Sequence, residues 1–320
     1  MLEKKHGLFI SQKKAICSIY ESGIMIYNIL KNNVDKYTLD FMEIDCNNHE
    51  ILLNLKYDFY IINWHHMSFP MPQYIINSLK GPKISVVVEV SPGIPLPKTP
   101  DWFDAYIVID PTQIKQGKIY PFPRPLEVSK KLIPLLSTSK IVIGGFGLIN
   151  PPPDKNSRFK KFVEVVENAN KIGNCIVRFN FPIGEFSGTN QQRLEEYGKQ
   201  LKWLAKPGID VTVTYDYMTK LELIHWCSQN TINAFPYYRN ELTGLSAVTD
   251  QAITAGRPIA ITNCTTFRHM HKYISYYPMQ TYLELIKSTP PGIKQMQIDW
   301  SPENFSKKFN ELLIEKGIIC

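Results

Sequence analysis

Apolar residues along this chain fall into short runs separated by helical patterns. In the first half, Ala15–Ser18 predicts a strand, Ile19–Gly23 a turn, and 24–30 an apolar-periodic helix. Tyr37–Ile44, Tyr57–Asn63, Lys83–Val90 and Ala105–Asp110 predict four more strands. Runs such as YDFYIIN and KISVVVEV are apolar almost throughout, as strands covered on both faces require. Strands alternating with helices imply a parallel sheet with right-handed crossovers. The proline-rich stretch Lys118–Pro125 cannot be a central strand. It reads as a boundary, with a short helix over 127–138 leading across it.

The same α/β pattern then starts afresh. Strands are expected at Lys140–Ile143, Cys175–Phe181, Asp210–Thr214, Thr231–Phe235 and Pro258–Thr262. Helices are expected at 158–171, 190–205, 220–228, 245–255 and 302–316, with a loop over Gly144–Ser157. The expectation is therefore two Rossmann-like α/β domains facing across a cleft: residues 1–130, residues 131–300, and a helix over 301–320 packing back on the first. Ligands of open α/β sheets bind at the carboxyl ends of the strands, so the informative residues belong in the loops that follow them.

Composition narrows the function classes. The chain has 320 residues, of which 44% are hydrophobic and 20% charged, enough for two cores and unlike a disordered chain. The net charge of +7 favours anionic partners, but it is spread out and forms no basic arm, which argues against nucleic acid. Cysteines stand at Cys17, Cys46, Cys175, Cys227, Cys264 and Cys320, with no CxxC pair, as in a reduced cytoplasmic protein. No apolar stretch approaches the roughly 20 residues of a membrane helix, so membrane contact is expected to be peripheral, at the inner face.

The strongest local signal is Tyr237–Pro258, YYRNELTGLSAVTDQAITAGRP. A strand runs into a polar loop with Glu241, Thr243 and Gly244, then into a helix of small residues. Gly244 permits close backbone approach, and Ser246 is a candidate N-cap. The amides of Ser246, Ala247 and Val248 would then face outward at a helix start, a ready anion site.

This segment resembles retaining GT-B glycosyltransferases of the family 4 type. Glu241, Gly244, Leu245 and Ser246 stand at the family's offsets, and Ala255-Gly256-Arg257-Pro258-Ile259 matches its helix end and following strand. The resemblance implies that Glu241 contacts the donor sugar and that the helix start from Gly244 to Ala247 takes the diphosphate. The family's ribose-binding acid falls at Thr249 here, and the nearest acid is Asp250. The family's second domain also opens with a strand, a glycine loop and a basic pair that neutralises the leaving diphosphate. Gly144, Gly145, Gly147, Lys155 and Arg158 are the residues available for that role. Tyr217, after the strand Asp210–Thr214, is a candidate to stack on the base.

In the first domain, the resemblance implies that Ser22 and Gly23 lie near the donor phosphates. His65 and His66 follow a strand and suit an acceptor hydroxyl; no further ligand at metal spacing accompanies them. Glu89 and Asp110 end strands, and Arg268, His269 and His271 follow one. The expectation is transfer of a sugar from a UDP-, GDP- or ADP-linked donor to a glycan, lipid-linked or protein acceptor, with retention and without cofactor or metal. Two rivals remain open: an inactive binding module of the same fold, and a sugar-nucleotide epimerase.

Overall fold

A computed structural model describes residues 4–13, 18–32, 36–45, 47–65, 71–87, 102–127, 134–149, 158–183, 189–237 and 244–320. It divides into two units, Met1–Pro125 with Asp299–Cys320, and Leu126–Ile298.

The first unit is built on β1 (Lys5–Gln12), β2 (Tyr37–Ile44), β3 (Phe59–Asn63), β4 (Lys83–Val87), β5 (Ala105–Val108) and β6 (Ile119–Pro121), with helices α1 (Ser18–Leu30) and α2 (Gln73–Ser78). All pairings are parallel, in the order β2-β1-β3-β4-β5-β6. Phe9, Ile61, Ile84 and Ile107 face one core and Leu8, Ile10, Tyr60 and Ile62 the other, so the near-continuous apolar strands are covered on both sides. The proline-containing β6 lies at the sheet edge, where a missing N–H costs no ladder bond.

The opening of the chain departs from expectation. The first strand is Lys5–Gln12, not Ala15–Ser18, and Ile19–Gly23 is helix rather than turn. Residues 14–17 lie outside the described residues. Ile19, Gly23, Ile26 and Leu30 are buried at spacings of four, three and four, the helical period. Gly23 suits this helix because Asn63 fills the space beside it: a Cβ there would lie 2.2 Å from Asn63 Nδ2. That same nitrogen donates to Ser11 Oγ at 3.1 Å and to the Ile19 carbonyl at 3.0 Å, tying β1, β3 and α1 together.

The second unit contains β7 (Ile141–Phe146), β8 (Cys175–Asn180), β9 (Asp210–Thr214), β10 (Ile232–Phe235) and β11 (Ile259–Ile261), all parallel, in the order β11-β10-β7-β8-β9. Its helices are α3 (Arg158–Ile172), α4 (Gln191–Leu204), α5 (Lys220–Ser228), α6 (Val248–Thr254), α7 (Tyr282–Ser288) and α8 (Pro290–Asp299). The expected loop over Gly144–Ser157 starts later, because Gly144, Gly145 and Phe146 are strand. The helix expected over 245–255 is the shorter α6. Residues 134–138, expected to be helical, are not, and 128–133 lie outside the described residues.

The last helix, α9 (Pro302–Glu315), belongs to the first unit. Ser301 caps it, and Phe305, Phe309, Leu312 and Leu313 bury one stripe against α1 and the first sheet. Glu315 accepts from Tyr120 Oη at 2.6 Å and from Lys115 Nζ at 2.7 Å.

Candidate functional site

In a parallel sheet whose strand order reverses, the first strands on either side of the reversal leave a crevice at their carboxyl ends. In the second unit these are β7 and β10. Ile143 and Gly145 face α3, whereas Phe146 packs on Trp226 of α5 at a ring separation of 5.9 Å. Beyond β7, Gly147 has φ +136°, a conformation that favours glycine. A Cβ on it would lie 3.7 Å from both Tyr237 Oη and Val248 Cγ1. The loop after β7, the end of β10 and the start of α6 therefore converge.

Tyr237 anchors this point. Its ring lies 5.1 Å from that of Phe267, and its carbonyl accepts from Thr262 Oγ1. On its face sits the Lys161 ammonium, 3.6 Å from the ring centroid. Lys161 is only 5% exposed, and lysine is almost never so buried unless a partner holds its charge. Burial pushes the thiol of nearby Cys264 up; hydrogen bonds from Thr262 and from the Thr266 and Phe267 backbone oppose that shift, and the charge of Lys161 adds least. Lys161 is the residue that motif matching passes over. Its signal was legible: on α3 it precedes Phe162 and stands four residues before Val165, on the face that enters the core.

The start of α6 is built by its neighbour across the loop. Thr266 donates through Oγ1 to the Gly244 carbonyl at 2.9 Å, and its own carbonyl accepts from the Ser246 amide at 3.2 Å. Ser246 is not the N-cap: the chain stays irregular one residue longer. Ala247 occupies the cap and has no side-chain acceptor to offer. Three other starts in this unit carry a side-chain cap. Asn190 caps α4, and reciprocal Thr-Glu boxes close α5 (Thr219, Glu222) and α7 (Thr281, Glu284). The first turn of α6 has no such side-chain cap, which leaves partial positive charge at its start. Ala247, Val248 and Asp250 are half-buried there, Leu245 is buried, and Thr249 is wholly interior, donating to the Ser246 carbonyl at 3.3 Å.

The remaining expected residues fall as follows. Glu241 and Lys155 lie outside the described residues, as do His66 and Glu89; Arg158 is the first residue of α3. Gly144 and Gly145 are packed strand positions. A Cβ on Gly144 would meet Asn230 Nδ2 at 2.0 Å, and one on Gly145 would meet the Ala234 carbonyl at 3.2 Å. Tyr217 is 57% exposed beyond β9. The segment leading to it is held by Asn180, whose Nδ2 donates to Thr214 Oγ1 at 3.0 Å and to the Asp216 carbonyl at 3.1 Å.

In the first unit, His65 follows β3 beside the reversal between β1 and β3, and Ser22 lies in α1 next to Gly23. Asp110 is engaged locally: it accepts from the Thr112 amide at 3.0 Å and hydroxyl at 2.7 Å, and from Gln113 at 3.1 Å. In the second unit His269 is 2% exposed, and burial pushes the pKa of His271 down.

One carboxyl beside this region makes a prediction. Burial, reinforced by Glu167, raises the pKa of Glu164 on α3, against a hydrogen bond from Tyr277 that lowers it. Its Oε2 is buried without a hydrogen-bond partner. Because the folded value lies above the unfolded one, stability from this group is fully present below the ordinary pKa and lost as pH rises through the folded value. Glu164→Gln is expected to melt above wild type at neutral pH, with the difference closing below about pH 4.5. Thermal melts across pH check this.

No protein-family model and no curated protein matches the sequence. Solved structures match along nearly the whole chain. A lipopolysaccharide outer core galactosyltransferase, WaaB in its apo form, aligns over 97% of this chain and 99% of its own, with TM-score 0.55 and 11% identity. An E. coli trehalose-6-phosphate structure bound with UDP-2-fluoro glucose aligns over 96% and 98%, with TM-score 0.63 and 10% identity. The fold is GT-B. Sucrose-phosphate synthase from Thermosynechococcus elongatus aligns as widely, 98% and 99%, with TM-score 0.60 and 10% identity. At such identities the likeness is one of GT-B architecture, and the function of this chain rests on its own residues.

Proposed function

We propose that the chain is a glycosyltransferase that moves a sugar from a nucleotide-sugar donor to an acceptor hydroxyl. The observation that carries this reading is the convergence at the β7–β10 reversal of an α6 start without a side-chain cap and a buried lysine held over Tyr237. A helix dipole and a desolvated ammonium together suit an anion of more than one charge. The GT-B fold, and the UDP-2-fluoro glucose bound in one structure that shares it, support a nucleotide diphosphate as that anion.

In this reading the diphosphate lies against the start of α6, near Gly244 to Val248, and Lys161 neutralises it, with Lys155 and Arg158 adding charge. Asp250 holds the ribose, Tyr217 stacks on the base and Glu241 orients the sugar. The anomeric carbon–oxygen bond breaks, and the electron pair leaves with the diphosphate. The α6 dipole and the cations stabilise the charge as it develops. The acceptor hydroxyl attacks from the face that the leaving group vacates. Its proton passes to a phosphate oxygen, and configuration is retained. This chemistry needs no resident metal.

A thermal-shift panel of UDP, GDP, ADP and their sugars tests donor binding. The expected result is stabilisation by one nucleotide series, and no response to any of them contradicts the reading. Turnover followed by nucleotide release is expected to collapse in Glu241→Ala, and unchanged turnover removes Glu241 from the site. Tyr217→Ala is expected to weaken donor binding about tenfold, with Tyr217→Phe close to wild type, since base–aromatic stacking contributes about 1–3 kcal/mol. Titration calorimetry on the two variants measures it.

A further inference from the structure

Trp203, in the last turn of α4, is 84% exposed, more than any other large hydrophobic residue described. The other tryptophans behave differently: Trp64, Trp226 and Trp300 are buried and Trp102 is half-buried. Nothing about α4 forces the exposure. Leu194, Tyr197, Gly198 and Leu201 already fill its buried face, and Gly198 lets the helix lie so close that a Cβ would come within 2.3 Å of Tyr215 Oη. The indole stands on the outward face of a firmly seated helix.

The last turn of α4 is basic; Glu195 and Glu196 stand a turn before Lys199, and Asp210 beyond the turn pairs with Lys140. Lys199 lies one turn before Trp203, Lys202 adjoins it, and Lys206 follows three residues on; all three are exposed, and no acid occurs from Tyr197 to Ile209. Asn170 bonds the Leu204 carbonyl and the Lys206 amide, each at 2.9 Å, which brings exposed Lys171 beside the same turn. Among the described residues no ion pair engages these four lysines. A helix C-terminus favours lysines through its dipole, but that gives no reason for the tryptophan. Together the groups match the interface of an anionic bilayer. Indole partitions to the headgroup level, and each nearby lysine adds about 1 kcal/mol of attraction to acidic lipid.

We infer that the C-terminal turn of α4, with Trp203 as anchor and Lys171, Lys199, Lys202 and Lys206 around it, is the face through which this protein sits on an anionic membrane surface. No helix among the described residues is long and apolar enough to cross a membrane, so this contact is peripheral. It is independent of the proposed sugar transfer.

The test uses the full chain with vesicles of phosphatidylcholine alone or mixed with phosphatidylglycerol, read by co-sedimentation and tryptophan emission. Wild type is expected to bind only the mixed vesicles, with a blue shift, and to be released by salt. Trp203→Phe should abolish the blue shift, since Trp64, Trp226 and Trp300 are already buried and Trp102 is half-buried. K199Q/K202Q/K206Q should weaken binding on the order of 100-fold. Circular dichroism and melting temperature confirm that the variants are folded. Four results overturn the inference: no binding to mixed vesicles, a shift that survives Trp203→Phe, binding to an anionic polymer such as heparin but not to vesicles, or a wild-type dimer that Trp203→Ala makes monomeric.

Discussion

Lys161→Met is expected to weaken binding of the nucleoside diphosphate about 100-fold while leaving the protein folded. A buried ammonium bonded to phosphate contributes about 1.5–3 kcal/mol, which is the loss in affinity. Without ligand the same ammonium lies over the Tyr237 ring, 3.6 Å from its centroid. Methionine fills a similar volume without the charge. Titration calorimetry and melting curves on the two proteins separate the roles. A lysine with a merely structural role would lower the melting temperature and spare affinity. Should Lys161→Met bind as wild type does, the diphosphate is neutralised elsewhere.

Gly144→Ala is expected to destabilise the second unit by about 1–3 kcal/mol, lowering its melting temperature by about 2–12 °C. The new Cβ would lie 2.0 Å from Asn230 Nδ2 and 3.0 Å from the Trp226 ring. Asn230 cannot step aside without loss. Its Oδ1 accepts from Arg178 at 3.1 Å, and its Nδ2 donates to Asn233 at 2.8 Å inside the core. Shrinking the obstacle in Gly144→Ala/Asn230→Ala should therefore cost less than the sum of the single changes. If instead Gly144→Ala keeps its stability and loses nucleotide affinity, the glycine approaches the ligand, and the packing account of β7 is wrong.

These residues mark where sequence reading succeeds. Asp210–Thr214 and Lys220–Ser228 were legible to the residue, because Pro207-Gly208 precedes the strand and the Thr219–Glu222 box announces the helix. The parallel α/β class was legible in apolar runs too continuous for one-sided strands. Glycines misled wherever their reason lay far along the chain. Gly23 looks like a turn residue until Asn63 occupies the space its side chain would need, and Gly144 looks like a loop residue until Asn230 does the same. The N-cap assigned to Ser246 failed because the helix starts one residue later, with Ala247 at the cap. Lys161 was visible as a lysine on an apolar helix face. Strand order depends on non-local pairing and was not readable.

The measurement that reaches the central claim most directly is a crystal structure with UDP or GDP bound. The account predicts the diphosphate within hydrogen-bonding reach of the α6 start and of Lys161 Nζ, with the base toward Tyr217. A nucleotide seated anywhere else, with Gly244 to Val248 out of contact, contradicts it.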